Sequence, residues 1–251
     1  MTSEAHPLIK VARVRSVAEA TMFEELGADI IGVSLAPEHG GGLFADDRAL
    51  SRDTAAAIGH ALGRARLAIG LANPVSHDAA EVLDLARRCM ADLIQVPAFD
   101  LPDSHVCQAL AAEGIGLIVG RFAASHDDDP AWILSPLAEL GGLLGDPGVA
   151  LAELELLPDH EDAWQFLTTE SPRFSDELQI DDIEALAQTR PLLLSSDITP
   201  DRVGDMLRRL PSIRGISLTL GTLAAGRHDV HAVDAGRAAA VARAARAMFR
   251  P

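Results

Sequence analysis

Leu8-Ile9-Lys10-Val11-Ala12, then Ser16-Val17-Ala18-Glu19-Ala20-Thr21-Met22-Phe23-Glu24-Glu25-Leu26, then Gly27-Ala28-Asp29-Ile30-Ile31-Gly32-Val33-Ser34-Leu35, is the stretch whose reading decides the fold. The first run is apolar and of strand length. Ser16 is an N-cap residue, and a helix is expected to run from it to Leu26. Gly27-Ala28-Asp29 is a turn of three residues that leads straight into a second apolar run. Neither run alternates apolar with polar. Parallel strands covered on both faces read this way, so the stretch is a strand–helix–strand unit of a buried parallel sheet.

The unit recurs along the chain. Further strands are expected at 67–72, 93–96, 115–120, 149–156, 191–195 and 213–220. Helices are expected at 53–62, 79–90, 104–113, 132–140, 183–189, from the cap Thr199 to Leu210, and at 234–249. Eight strand–helix units in 251 residues predict an α/β fold, a single (β/α)8 barrel filling residues 1–251, since that architecture takes roughly 250 residues. The turns from helix to strand are short and several loops from strand to helix are long. That asymmetry puts the working face at the C-terminal ends of the strands. An open doubly wound sheet would need a glycine-rich dinucleotide turn after the first strand, and Val11-Ala12-Arg13-Val14-Arg15 is not one.

Composition narrows the function. The formal net charge of −16 repels nucleic acid and anionic membranes, so neither is expected as a partner. No apolar run is long enough to span a membrane, and residues 1–10 lack the pattern of a secretory leader, so a cytoplasmic protein is expected. Cys89 and Cys107 are the only cysteines and fall in helical patterns, where buried thiols are expected. Lys10 is the only lysine in a chain that uses arginine for every other cation, which singles it out. The Ala-, Arg- and Asp-rich usage fits a high-GC genome, and a role in specialised metabolism is the expectation attached to it.

Lys10-Val11-Ala12-Arg13, Ser16 to Ala20, Glu25 to Val33 and Ala36-Pro37 resemble the opening of the phosphoribosylanthranilate isomerase family. Asn73, Asp92-Leu93-Ile94-Gln95, Thr199-Pro200-Asp201-Arg202-Val203 and Gly215 to Gly221 extend the resemblance, which is weak between Phe99 and Thr189. It implies the barrel fold, a small-molecule substrate, no cofactor, and an Amadori rearrangement run by a cysteine base and an aspartate acid. This chain departs from that pattern. The base position is Ala12, which cannot take a proton, and the glycine after it is Arg13. The sixth-strand carboxylate corresponds to Glu153 or Glu155, which share one face of the strand. The strand-four histidine position is Pro97 and the strand-eight aspartate position is Ser217. The glycines that grip phosphate after strand seven are replaced by Ser195-Ser196-Asp197-Ile198. Asp197 there would cost of order 4 kcal/mol against an anion at ~4 Å and an effective dielectric of about 20.

The resemblance makes Lys10, Glu153, Glu155 and Asp197 the candidate acids and bases. Arg13, His39, Gln95, Ser195, Ser196, Thr219 and Gly221 become candidate substrate-binding positions. One of the two glutamates is open to a different reading, as the partner of Lys10, because a buried charge needs one. Isomerase, lyase or cyclase chemistry on a small metabolite is the leading expectation, in a monomer or homodimer. A non-catalytic barrel that binds a metabolite or partner is the alternative. So is a metal-dependent lyase or hydrolase using His39, His126, His160, His228 and His231, each of which has acidic neighbours; no recognised metal motif supports it, and no metal is expected. Trp132 and Trp164 are read as stacking on a ligand or covering the barrel rim.

Overall fold

Apolar runs pair in parallel because each buries both faces, one toward the barrel axis and one toward the helices. In the computed structural model, which describes residues 6–36, 48–71, 78–97, 101–124, 149–156, 163–174, 177–221 and 232–248, those runs are β1 (Leu8–Ala12), β2 (Ile30–Ser34), β3 (Arg66–Gly70), β4 (Leu93–Pro97), β5 (Gly116–Ala124), β6 (Val149–Leu156), β7 (Leu192–Ser195) and β8 (Gly215–Leu220). They pair in sequence order, and β1 pairs with β8 to close the barrel. The helices are α1 (Val17–Glu25), α2 (Arg52–Ala61), α3 (Ala79–Cys89), α4 (Ser104–Ala112), α5 (Ala163–Thr169), α6 (Ile180–Thr189), α7 (Val203–Arg209) and α8 (Ala235–Ala247). The fold is a single (β/α)8 barrel. The helix expected at 132–140 lies outside the described residues.

Two apolar clusters follow from the two faces. Ile30, Ala68, Leu93, Ile118, Leu151 and Leu193 pack inside the barrel. A larger cluster, with Val11, Val33, Ile69, Val119 and Leu194 from the strands, packs between the barrel and the helices. Burying each of the large aliphatic side chains is worth about 1.5–3 kcal/mol. Cys89 and Cys107 are both buried in this layer.

At the N-terminal ends of the strands one device appears twice. α1 ends with Gly27 at φ 93° and α3 with Met90 at φ 54°. In each case the next residue, Ala28 or Ala91, bonds back five residues, to Phe23 or Ala86, which is a Schellman ending. The following aspartate then reaches the strand before the helix: Asp29 accepts the Ile9 N–H at 2.7 Å, and Asp92 accepts the Leu67 N–H at 3.0 Å. Glu24 closes the turn between α2 and β3 by accepting the N–H groups of Gly63 at 3.0 Å, of Arg64 and of Ala65 at 2.6 Å. Arg246 of α8 ties the two ends of the chain together. It donates to the carbonyls of Pro7 and Gly27 and to the Asp29 carboxylate.

The structure differs from the sequence reading in four places. β5 runs on to Ala124, four residues past its expected end. α5 is a separate helix ahead of α6, and Trp164 on it is 4% exposed and packed in the core. Thr199 opens a turn whose carbonyl accepts from Arg202 and Val203, and α7 begins only at Val203, so Thr199 does not cap it. A short strand, β9 (Ala232–Val233), adds to β8 beyond Thr219.

Candidate functional site

The inward face turns polar above the aliphatic floor. Lys10 pairs in register with Ser217, Ser217 with Ser195, and Ser195 with Glu155, which makes a polar row across β1, β8, β7 and β6. Lys10 is fully buried and Glu153 nearly so. The Lys10 ammonium donates to Glu153 Oε2 at 2.7 Å and lies 3.4 Å from Ser217 Oγ. Gln95 Nε2 donates to the same Glu153 oxygen at 2.8 Å. Burial pushes the Glu153 carboxyl up, but the charge of Lys10 and hydrogen bonds from Lys10, Ser217 and Gln95 outweigh it. The carboxyl is held below its ordinary value and stays ionised.

Gly120 explains how Gln95 reaches across β5. A Cβ there would lie 2.7 Å from the Gln95 amide nitrogen and 3.4 Å from Glu153 Oε2. At Gly32 a Cβ would press on the neighbouring strand instead, 3.2 Å from Ala12 Cα, with Lys10 Cε at an ordinary 3.6 Å. A charged pair with two further donors, set on an aliphatic floor, is a neutral platform. Its ammonium is engaged by a carboxylate, which disfavours attack by Lys10 on a carbonyl.

Glu155 stands two residues further toward the C-terminal end of β6 and is half-buried. The strand therefore carries two inward carboxylates in two environments, one sealed beneath the mouth and one at it. Ser195 and Ser196 are buried beside them. Ser196 Oγ bonds to Asp197 Oδ1 at 2.9 Å, and Arg202 lies 3.7 Å from the other Asp197 oxygen, so the negative charge there has a cation beside it. Thr219 is the penultimate residue of β8, and Gly221 follows its end at Leu220. The Arg13 guanidinium rests on Gly221, with Nη1 at 2.8 Å from where a Cβ would be. Arg13 itself has φ 62°, a left-handed backbone.

Lys10, Glu153 and Gln95 thus form one cluster, and Glu155, Ser195, Ser196, Asp197, Thr219, Gly221 and Arg13 lie around the strand ends above it. His39 lies outside the described residues, as do His126, His160, His228, His231 and Trp132. Among the described residues no group of three or more His, Cys, Asp or Glu side chains is placed to hold a metal ion. No helix among them is long and apolar enough to cross a membrane. Sequence reasoning missed Gly120, whose role is to be absent as a side chain, and Arg48, which donates to the Arg13 carbonyl at 2.7 Å. Ser217 was noted only as a departure, yet it joins the cluster.

No protein-family model matches the chain, and no curated relative does. Solved structures do. Phosphoribosylanthranilate isomerase from Pyrococcus furiosus aligns at 13% identity with TM-score 0.63, over 96% of this chain and 100% of that one. TrpF from Jonesia denitrificans aligns at 22% identity with TM-score 0.61, over 98% and 99%. A phosphoribosylanthranilate isomerase in complex with reduced 1-(o-carboxyphenylamino)-1-deoxyribulose 5-phosphate aligns at 15% identity with TM-score 0.59, over 96% and 99%. These are likenesses of fold: the chain is a (β/α)8 barrel of the kind found in phosphoribosylanthranilate isomerase structures.

Proposed function

We propose that this barrel is an isomerase-like enzyme that moves a proton on a small metabolite at the C-terminal end of its strands, with Glu155 as the acid–base group. Isomerisation and the related lyase and cyclase steps all need such a group. The observation that carries the reading is the contrast within β6: Lys10, Gln95 and Ser217 hold Glu153 ionised out of solvent, whereas Glu155 is at the mouth. A carboxylate at the edge of a low-dielectric site is suited to general acid–base work. Lys10 and Glu153 are positioning residues in this reading, and the enzyme works in the cytoplasm as a monomer or homodimer. Ala12 cannot take a proton, so no side chain at that position serves as the base.

Hydrogen–deuterium exchange tests this. The protein is incubated in deuterium oxide with a panel of small keto acids, ketoses and amino-ketoses, and loss of the C–H signal beside each carbonyl is followed by NMR. The wild type exchanges at least one of them. Glu155→Gln slows that exchange by about 10²-fold or more and keeps its melting temperature. Unchanged exchange in Glu155→Gln removes Glu155 from the chemistry. No exchange by the wild type on any member favours the barrel as a non-catalytic metabolite binder.

A further inference from the structure

Resting on the acid–base reading above, we propose that Ser195 is a catalytic hydrogen-bond donor: the ligand sets an uncharged carbonyl oxygen on its hydroxyl and the adjoining C–H on Glu155. Burial singles this serine out. Among the described residues the buried polar side chains are those of Lys10, Glu153, Ser171, Ser195, Ser196 and Ser217. All but one are engaged. Lys10 and Glu153 hold each other, and Ser217 Oγ lies 3.4 Å from the Lys10 ammonium. Ser196 Oγ meets Asp197 Oδ1 at 2.9 Å, and Ser171 donates to the Leu178 carbonyl. Ser195 is 2% exposed, and its hydroxyl has no hydrogen-bond partner among the described residues. A buried hydroxyl without a partner is costly, and alanine would fill the same place without that cost.

The direction of the hydroxyl follows from the strand. Leu193, two residues earlier, packs inside the barrel, so Ser195 points inward at the C-terminal end of β7. Its oxygen is not sealed under other atoms either. The fully enclosed, unpartnered side-chain atoms of the described residues are Glu177 Oε2, Arg190 Nε and Thr199 Oγ1, and Ser195 Oγ is not one of them. An inward hydroxyl that keeps access at the end of its strand opens on the mouth. Glu155 is its register partner on β6, as Ser217 is on β8. Neighbouring strands stand about 4.8 Å apart, so two bonded atoms of a ligand fit over Glu155 and Ser195 together.

That pairing suits enolisation. Glu155 takes the proton from a carbon beside a carbonyl. The C–H electron pair becomes the C=C bond of the enolate, and the carbonyl π pair moves onto oxygen. Ser195 keeps its own proton and donates to that oxygen, more strongly as charge builds there. The negative charge leaves Glu155 as it arrives on the oxygen, so the net charge of the mouth does not change and a neutral donor suffices. Return of the proton to carbon restores the carbonyl, with a deuteron in its place when the solvent is deuterium oxide. The substrate class is a ketone or aldehyde with a C–H beside its carbonyl.

The test has one arm that needs no turnover. Hydroxyacetone, with ¹²C or ¹³C at its carbonyl, is added at saturating concentration to Glu155→Gln and to Glu155→Gln/Ser195→Ala, and the bound C=O stretch is read by infrared difference spectroscopy. The stretch is expected at lower wavenumber where Ser195 is present. The same wavenumber in both variants, or no bound band in Glu155→Gln, overturns the proposal. In the exchange assay, Ser195→Ala in the otherwise wild-type chain is expected to lower kcat by about 10²- to 10³-fold with KM little changed. An unchanged kcat removes Ser195 from the chemistry. Because the hydroxyl has no protein partner to lose, Ser195→Ala should melt at or above the wild-type temperature, and a clear fall would assign the hydroxyl a structural task instead. The two readings fail separately. An infrared shift with exchange unaffected by Glu155→Gln sinks the acid–base reading alone; exchange slowed by Glu155→Gln with no infrared shift sinks the Ser195 contact alone.

Discussion

Lys10→Met removes the cation from a buried pair and leaves its carboxylate behind. Glu153 then has two ways to respond. It stays ionised without its main partner, or it takes up a proton. The second route sets a ceiling on the cost. Protonating at pH 7 a group whose ordinary value is 4.5 costs about 3.4 kcal/mol, at ~1.36 kcal/mol per unit. That agrees with the ~3–5 kcal/mol typical of breaking one side of a buried pair. Gln95 and Ser217 still donate to the carboxyl, which keeps the cost near the lower end. The dependence on pH has a definite sign. In the wild type the Glu153 value is lowered, so its stabilisation is present above 4.5 and lost as the pH falls through the folded value. In the variant burial raises it, so the penalty appears above 4.5 and grows with pH. The stability gap between the two proteins is therefore expected to widen by up to about 2.7 kcal/mol between pH 5 and pH 7. Urea unfolding of both at pH 5, 6, 7 and 8 measures this. The double variant Lys10→Met/Glu153→Leu, which removes both charges, should recover most of the loss. A gap under about 1 kcal/mol at pH 7, flat from pH 5 to pH 8, would show that water reaches the pair and would refute the reasoning.

Gly120→Ala forces the Gln95 amide away from Glu153 and should cost about 1.5–3 kcal/mol, the worth of a hydrogen bond to a charged group; urea unfolding reads it, and Gln95→Leu in the same background should then cost little more. Arg13→Gly and Arg13→Ala both remove the side chain, but only glycine relieves the left-handed backbone, so the glycine variant should be more stable than the alanine variant by about 1 kcal/mol in urea unfolding; equal stability would show that the turn is not strained. Glu24 is held below its ordinary value chiefly by the Ala65 N–H, against a smaller effect of burial, with help from Arg64 and Gly63. Its contribution is present above 4.5 and lost as the pH falls through the folded value, so Glu24→Gln should flatten the acid limb of the stability profile, and an unchanged limb would show that these bonds are solvent-screened.

The barrel was legible because its signal is repeated and local. Leu8–Ala12 and Ile30–Ser34 each carry the continuous apolar run that buried parallel strands need, and Ser16 caps α1 as expected, accepting from the Glu19 N–H. The unusual lysine was also legible, as a residue type out of keeping with its chain. Which of Glu153 and Glu155 pairs with Lys10 was not, because period-two spacing puts both on one face and says nothing of depth along the strand. That choice needed the register and the reach of the Lys10 side chain. Gly120 was unreadable for a related reason: a glycine that leaves space for a neighbour's side chain looks like any glycine until the neighbour is in place. α5 escaped notice because it is only seven residues long, and Trp164 on it was read as either stacking on a ligand or covering the barrel rim.

Arg246 joins the last helix to Asp29 across 217 residues of chain, whereas Asp29 reaches back to Ile9 across only 20. The two contacts share the Asp29 carboxylate but belong to opposite ends of the folding process. The short one can form as soon as the first strand–helix–strand unit emerges during synthesis. The long one carries a loop-closure cost set by nearly the whole chain and waits for the final helix. Asp29 is thus a latch prepared early and engaged late, and a nascent chain lacking α8 would have its first unit assembled but its barrel unsealed.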